Sequence, residues 1–149
     1  MAVKKNVRAS RKLARERILQ ALYQWQLSDA PDNELIAQYR VDHADEVIDW
    51  PFFEQAIRTI TSTSKELDEQ YVSFLDRTIE QLDPIERGVL RLGIFELMHR
   101  VDVPYRVVIN EAVELAKRYG ATESHKYING ILDKAARQLR EVEISGQAR

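Results

Sequence analysis

The sequence contains no cysteine, and glycine and proline are scarce, with 5 and 4 residues among 149. The absence of cysteine excludes a disulfide framework, a thiolate zinc site and a cysteine nucleophile, and it suits a reducing cytoplasm. No run approaches the roughly 20 uncharged apolar residues of a transmembrane helix, and no uninterrupted apolar region follows the basic N-terminus as in a signal peptide. The sequence therefore predicts a cytoplasmic protein without membrane contact.

Enzyme signatures are also missing. The three histidines, His43, His99 and His125, lie far apart, and none belongs to an HExxH pair. No glycine-rich loop matches a P-loop or a dinucleotide fingerprint, and no GxSxG nucleophile elbow is present. Carboxylates are abundant, but a pair such as Glu111 and Glu114 is explained more simply by a solvated helix face. The sequence predicts no catalytic residue, no metal site and no cofactor.

Charge is concentrated in two blocks of opposite sign. Residues 1–17 carry seven cations against Glu16 alone, a net charge of +6, so the remaining 132 residues sum to −8. Residues 29–49 hold seven carboxylates against Arg40, a net charge of −6. A basic end of this density is typical of a phosphate-binding surface, and the acidic block would keep the rest of the molecule away from a polyanion. A solvated basic tail without a ligand explains the same charges.

Apolar residues recur at helical spacing along nearly the whole chain, and no stretch alternates with period two over the length of a strand. The first helix combines a core stripe with a basic stripe and ends near Ser28. Capping, proline and propensity signals predict six further helices, which begin near Asp32, Pro51, the 61–64 break, Asp83, Pro104 and Thr122 or Ser124. The predicted fold is all-α, with about seven helices in two small packed bundles.

The clearest helix start lies at Asp83, Pro84 and Glu86. Asp83 is the predicted N-cap, Pro84 occupies the first helical position, and Glu86 is the partner of a capping box. The helix that follows is apolar around most of its circumference, which predicts a central position. The fourth predicted helix has no capping signal and is predicted only from the spacing of Leu67, Tyr71 and Leu75. The polar tail from Ser145 is expected to be frayed.

The segment 124–130, SHKYING, places a cation, two aromatic rings and an amide at a helix N-terminus. The free N–H groups and the positive end of the helix dipole favour a phosphate there. Tyr127 lies about 100° from the face of Ile128, so its ring is expected at the rim, where an unpaired base can stack. A boundary tyrosine packed on its neighbours is the alternative. Tyr23, beside the core stripe of the first helix, has the same two interpretations.

Several motifs occur in one order along nearly the whole chain. They are ARERILQALYQW at 14–25, ERGVLRLGIFEL at 86–97, Pro104, INEAVELAK at 109–117 and SHKYINGILDK at 124–134. As an ordered set they resemble the NusB family of bacterial transcription antitermination factors. The resemblance implies a single NusB-like RNA-binding domain over residues 1–149, with a basic N-terminal arm at 1–12, a flexible tail at 145–149 and no catalytic activity.

The resemblance also implies partners. Members of the family pair with the ribosomal protein NusE, and the heterodimer binds the single-stranded boxA element of nascent ribosomal RNA in an RNA polymerase complex that reads through terminators. The RNA-binding positions of the family and the basic extension before them give ten predicted contacts: Lys4, Lys5, Arg8, Arg11, Lys12, Arg15, Tyr23, Glu123, Lys126 and Tyr127. Glu86 matches a family position associated with the NusE surface, and a helix-capping role is its alternative.

Two alternative functions stay open at this point. A related helical module is fused to certain ribosomal RNA cytosine methyltransferases, so the motifs are also compatible with a fragment of such an enzyme. The end of the chain at Arg149 and the lack of a glycine-rich cofactor loop favour the factor over the enzyme. A helical adaptor that binds protein but not RNA is the other alternative. A monomer and a homodimer are both compatible with the sequence.

Overall fold

Every regular element in residues 2–147, the part of the chain that the computed structural model describes, is helical. Side chains are described from residue 6 to residue 146. The α-helices are α1 Ala2–Ser28, α2 Asp32–Asp42, α3 Trp50–Glu69, α4 Pro84–His99, α5 Tyr105–Tyr119, α6 Ser124–Leu139 and α7 Glu141–Gln147. Two 3-10 turns, Val72–Phe74 and Ile79–Gln81, lie between α3 and α4. The all-α prediction is confirmed, and none of the described helices has the length and hydropathy of a membrane span.

The first of two compact units covers residues 1–62. The predicted core stripe of α1 is buried apart from Trp25, which is half-buried, and it is joined by apolar residues of α2 and of the first half of α3. The core residues include Ala14, Ile18, Ala21, Leu22, Leu35, Phe52, Phe53, Ile57 and Ile60. Helix α2 has Asp32 and Glu34 in its first turn, where carboxylates stabilise the positive end of the helix dipole. It ends at Asp42.

The predicted break at residues 61–64 is a kink inside α3. Thr63 has non-helical angles, with φ −125° and ψ 25°. The hydroxyls of Thr61 and Ser62 donate to the carbonyls of Ile57 and Arg58 at 2.8 Å each. Hydroxyl groups that bond to the preceding turn bend a helix without ending it, which explains why the low propensity of this run produces a kink and no new N-terminus.

The predicted fourth helix is absent from the described chain, which is a correction to the sequence interpretation. Leu67 belongs to α3, and Tyr71 follows the end of that helix. The Tyr71 hydroxyl donates to Asp68 Oδ1 at 2.7 Å, and Arg91 donates to both oxygens of Asp68 at 2.9 and 2.8 Å. Burial raises the pKa of the Tyr71 hydroxyl well above its ordinary value. The apolar spacing therefore reflects packing around a buried ion pair.

The second unit covers residues 63–149, and α4 is its centre. Residues 88–97 are buried without interruption, as the apolar circumference predicts. The capping box is confirmed, because Glu86 N–H donates to Asp83 Oδ1 at 2.7 Å and Asp83 N–H donates to Glu86 Oε1 at 3.3 Å. Helices α5 and α6 pack on α4. At the contact with α6, a Cβ at position 93 would lie 2.9 Å from Leu132 Cδ1, so a larger residue there would require the Leu132 side chain to shift.

Helix α7 covers residues 145–147 of the tail that was expected to be frayed, and residues 148–149 lie outside the described chain. Arg140, between α6 and α7, is buried. Its guanidinium donates to four carbonyls at or just beyond the end of α4, those of Glu96, Leu97, Arg100 and Val103. Glu143 of α7 accepts from Arg140 and from the Tyr105 N–H at the start of α5. These bonds satisfy helix-end groups that have no partner in their own helix.

Candidate nucleic-acid interface

Two of the predicted RNA-binding arginines of α1 are part of the first unit's packing. Arg15 is only 4% exposed, and its guanidinium lies 5.4 Å from the centroid of the Phe52 ring. Arg11 is half-buried, lies at the same distance from that ring and donates to Asp49 Oδ2 at 3.2 Å. A guanidinium buried to this extent reaches a phosphate only by leaving its place beside Phe52, so the predicted RNA-binding role of Arg15 stays a prediction.

Three other predicted positions of α1 are exposed. They are Arg8, Lys12 and Tyr23. Of these, Arg8 and Lys12 present positive charge at the surface, and Tyr23 presents part of its ring. The side chains of Lys4 and Lys5 lie outside those that the structure describes, so their predicted role stays a prediction. The exposed basic surface of α1 is therefore smaller than the seven cations of residues 1–17 indicate.

The acidic segment 42–49 accounts for part of this reduction. Arg17 donates to both oxygens of Glu46, at 2.9 and 2.5 Å, and His43 Nδ1 lies 2.6 Å from Glu46 Oε1. The hydrogen bond from Arg17 lowers the pKa of the Glu46 carboxyl below its ordinary value. Together with the Arg11 to Asp49 pair, these contacts show that the acidic block binds the basic helix inside the first unit.

In the second unit, Tyr127 forms a cluster with two residues from the segment between the 3-10 turns. We call Asp76, Arg77 and Tyr127 the Tyr127 cluster. The tyrosine hydroxyl donates to Asp76 Oδ1 at 2.9 Å and accepts from the Asp76 N–H at 3.2 Å. The Arg77 guanidinium lies 4.4 Å from the ring centroid and donates through Nε to Asp76 Oδ1 at 2.7 Å. Tyr127 is half-buried, as a rim position requires.

The pKa values of the cluster follow from these contacts. Hydrogen bonds from Arg77 and then from Tyr127 lower the pKa of Asp76, so this carboxylate stays ionised. Burial raises the pKa of the Tyr127 hydroxyl, which stays protonated and able to donate. The cluster therefore presents one aromatic ring, one guanidinium and one carboxylate at neutral pH. Sequence reasoning missed Asp76 and Arg77, because they lie about 50 positions from Tyr127 and carry no local signal.

Lys126 and Glu123 form an ion pair at the start of α6. Lys126 Nζ lies 2.7 Å from Glu123 Oε2, and both side chains are largely exposed. Exposed pairs contribute little free energy, so either partner can exchange the contact for another. Glu123 itself has a left-handed backbone, with φ 71°, and its side chain caps no helix N–H. Ser124 is the first residue of α6, whereas Thr122 precedes the N-cap.

Glu86 is buried, with 8% of its surface exposed. Its Oε1 accepts from the Asp83 N–H, and its Oε2 accepts from the Ser124 hydroxyl at 3.1 Å. Both oxygens therefore have partners inside the second unit. This geometry supports the capping interpretation, and the role of Glu86 toward a protein partner stays a prediction. Among the described residues, no three histidine, aspartate or glutamate side chains are grouped as metal ligands.

The chain is similar to known proteins over most of its length. Residues 12–137 match the NusB family. The transcription antitermination protein NusB of Xylella fastidiosa (strain 9a5c) is 51% identical over 138 residues, which cover 93% of this chain and 88% of that protein. The protein of the same name from Pseudomonas savastanoi pv. phaseolicola is 49% identical over 141 residues, which cover 95% of this chain and 86% of that protein.

Solved structures agree with the sequence relatives. NusB of T. maritima superposes with a TM-score of 0.74 at 33% identity, covering 85% of this chain and 89% of that chain. A chain in the crystal structure of antitermination factors NusB and NusE in complex with double-stranded RNA superposes with a TM-score of 0.76 at 26% identity. This match covers 85% of this chain and 96% of that chain. This protein, with Arg15 buried in the first unit and the Tyr127 cluster in the second, belongs to the NusB family.

Proposed function

We propose that this protein is a transcription antitermination factor that binds single-stranded boxA RNA of nascent ribosomal transcripts together with NusE. The observation that carries the proposal is the Tyr127 cluster, with a ring, a guanidinium and the neighbouring Lys126 at one exposed edge of a NusB-family chain. Aromatic rings stack on unpaired bases, and cations bind the phosphates beside them. The relatives named above are antitermination proteins, and one structural neighbour was solved with NusE and RNA.

Each unit has its own candidate RNA contacts. In the first unit, Arg8 and Lys12 supply exposed positive charge. In the second unit, Lys126 supplies charge and Tyr127 supplies the ring. Phosphate contacts give affinity without sequence preference, whereas stacked and hydrogen-bonded bases give selectivity. We therefore assign salt-dependent affinity to the cations and the preference for an unpaired strand to the ring.

The proposal places the protein in the cytoplasm, as a subunit of the RNA polymerase antitermination complex, and gives it no catalytic step. The relatives are named for a regulatory role and not for a reaction. They are matched over 86% and 88% of their own length, which favours the factor over the methyltransferase module. Glu86 remains our proposed contact for a basic protein partner, which would have to compete with the Asp83 N–H and the Ser124 hydroxyl for its carboxylate.

Fluorescence anisotropy with labelled RNA tests the proposal. The probes are a boxA-like single strand, a scrambled single strand and a duplex of the boxA strand, each with and without purified NusE. We expect the tightest binding to the single-stranded boxA probe in the presence of NusE, with log affinity falling as log salt rises by roughly 0.7 per phosphate contacted. Sedimentation of the free protein at the same concentrations separates a monomer from a homodimer.

Two results contradict the proposal. Equal affinity for the boxA strand, the scrambled strand and the duplex would leave only nonspecific charge attraction. NusE binding without any RNA binding would instead identify the helical protein adaptor.

A further inference from the structure

We propose that Arg77 is an RNA-binding residue that contacts the phosphate of the nucleotide whose base stacks at Tyr127. The inference rests on the proposed function and extends it to a residue outside the predicted binding set. Three observations carry it: the position of the guanidinium over the ring, its remaining hydrogen-bond donors, and the arrangement of charge in the Tyr127 cluster.

The guanidinium of Arg77 covers one face of the Tyr127 ring at 4.4 Å from the centroid. Because that face is occupied, a base stacks either on the opposite face of the ring or on the side of the guanidinium that points away from the ring. When the base lies on the guanidinium plane, the sugar and phosphate of that nucleotide lie beside the arginine. Planar guanidinium groups stack on rings and bases while their edge N–H groups bond to phosphate oxygens.

Arg77 retains donors for such a contact. Its side chain is 38% exposed, and its hydrogen bonds within the described residues run from Nε and Nη2 to the Asp76 carboxylate at 2.7 and 3.4 Å. The Nη1 group donates to no described residue. A guanidinium with a free edge forms charge-assisted hydrogen bonds to a phosphate, which are stronger than neutral ones.

The Asp76 carboxylate has two opposed effects on this contact. It holds Arg77 over the ring through its ion pair and holds Tyr127 through its bond with the hydroxyl. Its negative charge, however, competes with a phosphate for the same guanidinium. The carboxylate is therefore expected to orient the cation at a cost in RNA affinity.

A structural role makes a different prediction. In that case the Tyr127 cluster only holds the segment between the 3-10 turns against α6. Loss of the Asp76 charge would then weaken the cluster and leave RNA affinity unchanged or reduced. In the RNA-binding role, Asp76→Asn keeps an oxygen that accepts from Tyr127, removes the competing charge and raises RNA affinity.

The experiment uses the full chain with NusE and the single-stranded boxA probe in a salt series. We expect Arg77→Ala to bind about tenfold more weakly at low salt, since hydrogen bonds to charged groups contribute that much. Its plot of log affinity against log salt should be shallower by about 0.7, the value for one phosphate on a single strand. Asp76→Asn should bind about threefold more tightly, the size of an exposed charge interaction.

Two further variants complete the set. Arg77→Lys keeps the charge and loses the planar stack, so the salt slope should be retained while affinity falls by less than in Arg77→Ala. Arg106→Ala is the matched control, because Arg106 is also exposed and also lies over a tyrosine ring, that of Tyr105, at 5.8 Å. It should bind RNA like the parent protein. Thermal melting confirms that each variant is folded at the temperature of the binding assay.

The outcomes separate this inference from the proposed function. If the parent protein binds the boxA strand and Arg77→Ala matches it in both affinity and salt slope, the inference is wrong and the proposed function stands. If folded Asp76→Asn binds RNA as weakly as Arg77→Ala, the cluster only stabilises the local structure, and the inference is equally wrong. If the parent protein binds no RNA under any condition, the proposed function and the inference both fail.

Discussion

The cations of α1 and those near Tyr127 are the same residue types in two different settings. In α1, Arg15 lies over Phe52 in the core, and Arg17 is held by both oxygens of Glu46. In the second unit, the ion pairs that Arg77 and Lys126 form with described residues are with exposed carboxylates one and three residues away. The first set is built into the fold, whereas the second set can exchange its partners for a phosphate.

This difference shows that positive charge in a sequence measures binding capacity poorly. The net charge of +6 in residues 1–17 predicts a large phosphate-binding surface. Contacts with Phe52 and with the acidic segment assign several of those cations to the first unit's own stability. Substituting an arginine that is paired or packed inside the first unit should therefore change the free energy of unfolding. Substituting an exposed arginine should change RNA affinity.

The largest effect is expected for Arg15→Ala. Loss of a buried side chain that packs against an aromatic ring should lower the free energy of unfolding by about 2 to 3 kcal/mol. Urea unfolding followed by circular dichroism measures this change.

Arg8→Ala is the matched control, because Arg8 lies on the same helix and is exposed. It should keep the parent stability and make the salt dependence of RNA binding shallower by about 0.7. Equal stability of the two variants would contradict the assignment of Arg15 to the core.

Tyr127→Ala should have the next largest effect, on RNA binding. One base stacked on one ring contributes roughly 1 to 3 kcal/mol, and that loss should change little with salt. Tyr127→Phe keeps the ring but loses both hydrogen bonds to Asp76, so it should cost about 1 kcal/mol of unfolding free energy and leave stacking possible. Affinity measured well below each melting temperature checks the RNA-binding value, and urea unfolding checks the stability value. A folded alanine variant with parent affinity would exclude the stacking role.

Local signals in the sequence predicted those parts of the fold that depend on neighbouring residues. The start of α4 follows from Asp83, Pro84 and Glu86, which cap the helix within one turn. The central position of α4 follows from its apolar circumference. Both predictions are confirmed, because no distant residue is needed to produce them.

Predictions failed where the deciding partner lies far away in the sequence. Tyr71 has helical spacing with Leu67, yet its place is set by Asp68 and by Arg91, a residue of the next helix. Arg140 is a charged residue before the tail that was expected to be frayed, and the carbonyls of Glu96 and Leu97 make its burial favourable. The candidate site has the same limit. Tyr127 was predicted from its place on α6, whereas Arg77 and the pairing of Arg17 with Glu46 require the folded chain.

Glu86→Ala extends the comparison of buried and exposed charged residues to a buried carboxylate. The variant removes the capping-box partner and the acceptor of the Ser124 hydroxyl, so it should lower the free energy of unfolding by about 1 kcal/mol. Glu123→Ala is the control, because its carboxylate is exposed and caps no helix N–H, and it should leave stability nearly unchanged. If Glu86→Ala instead keeps full stability and loses NusE binding in a pull-down titration, the residue serves the partner and the cap is dispensable.

The smallest effect is expected for the pH dependence of the Arg17 to Glu46 pair. The hydrogen bond from Arg17 lowers the pKa of Glu46 in the folded protein below the ordinary value of 4.5. A depressed folded pKa stabilises the fold fully at pH values above the unfolded pKa, and that contribution is lost as the pH falls through the folded pKa. Because both side chains retain some exposure, the contribution should stay below about 1 kcal/mol.

Glu46→Gln should therefore be slightly less stable than the parent protein at pH 7, and the difference should shrink as the pH falls below 4.5. Urea unfolding at a series of pH values measures this convergence, with Glu34→Gln as a control on an exposed carboxylate of the same unit. A difference that persists unchanged at low pH would mean that Glu46 stabilises the acidic segment through packing and not through its charge.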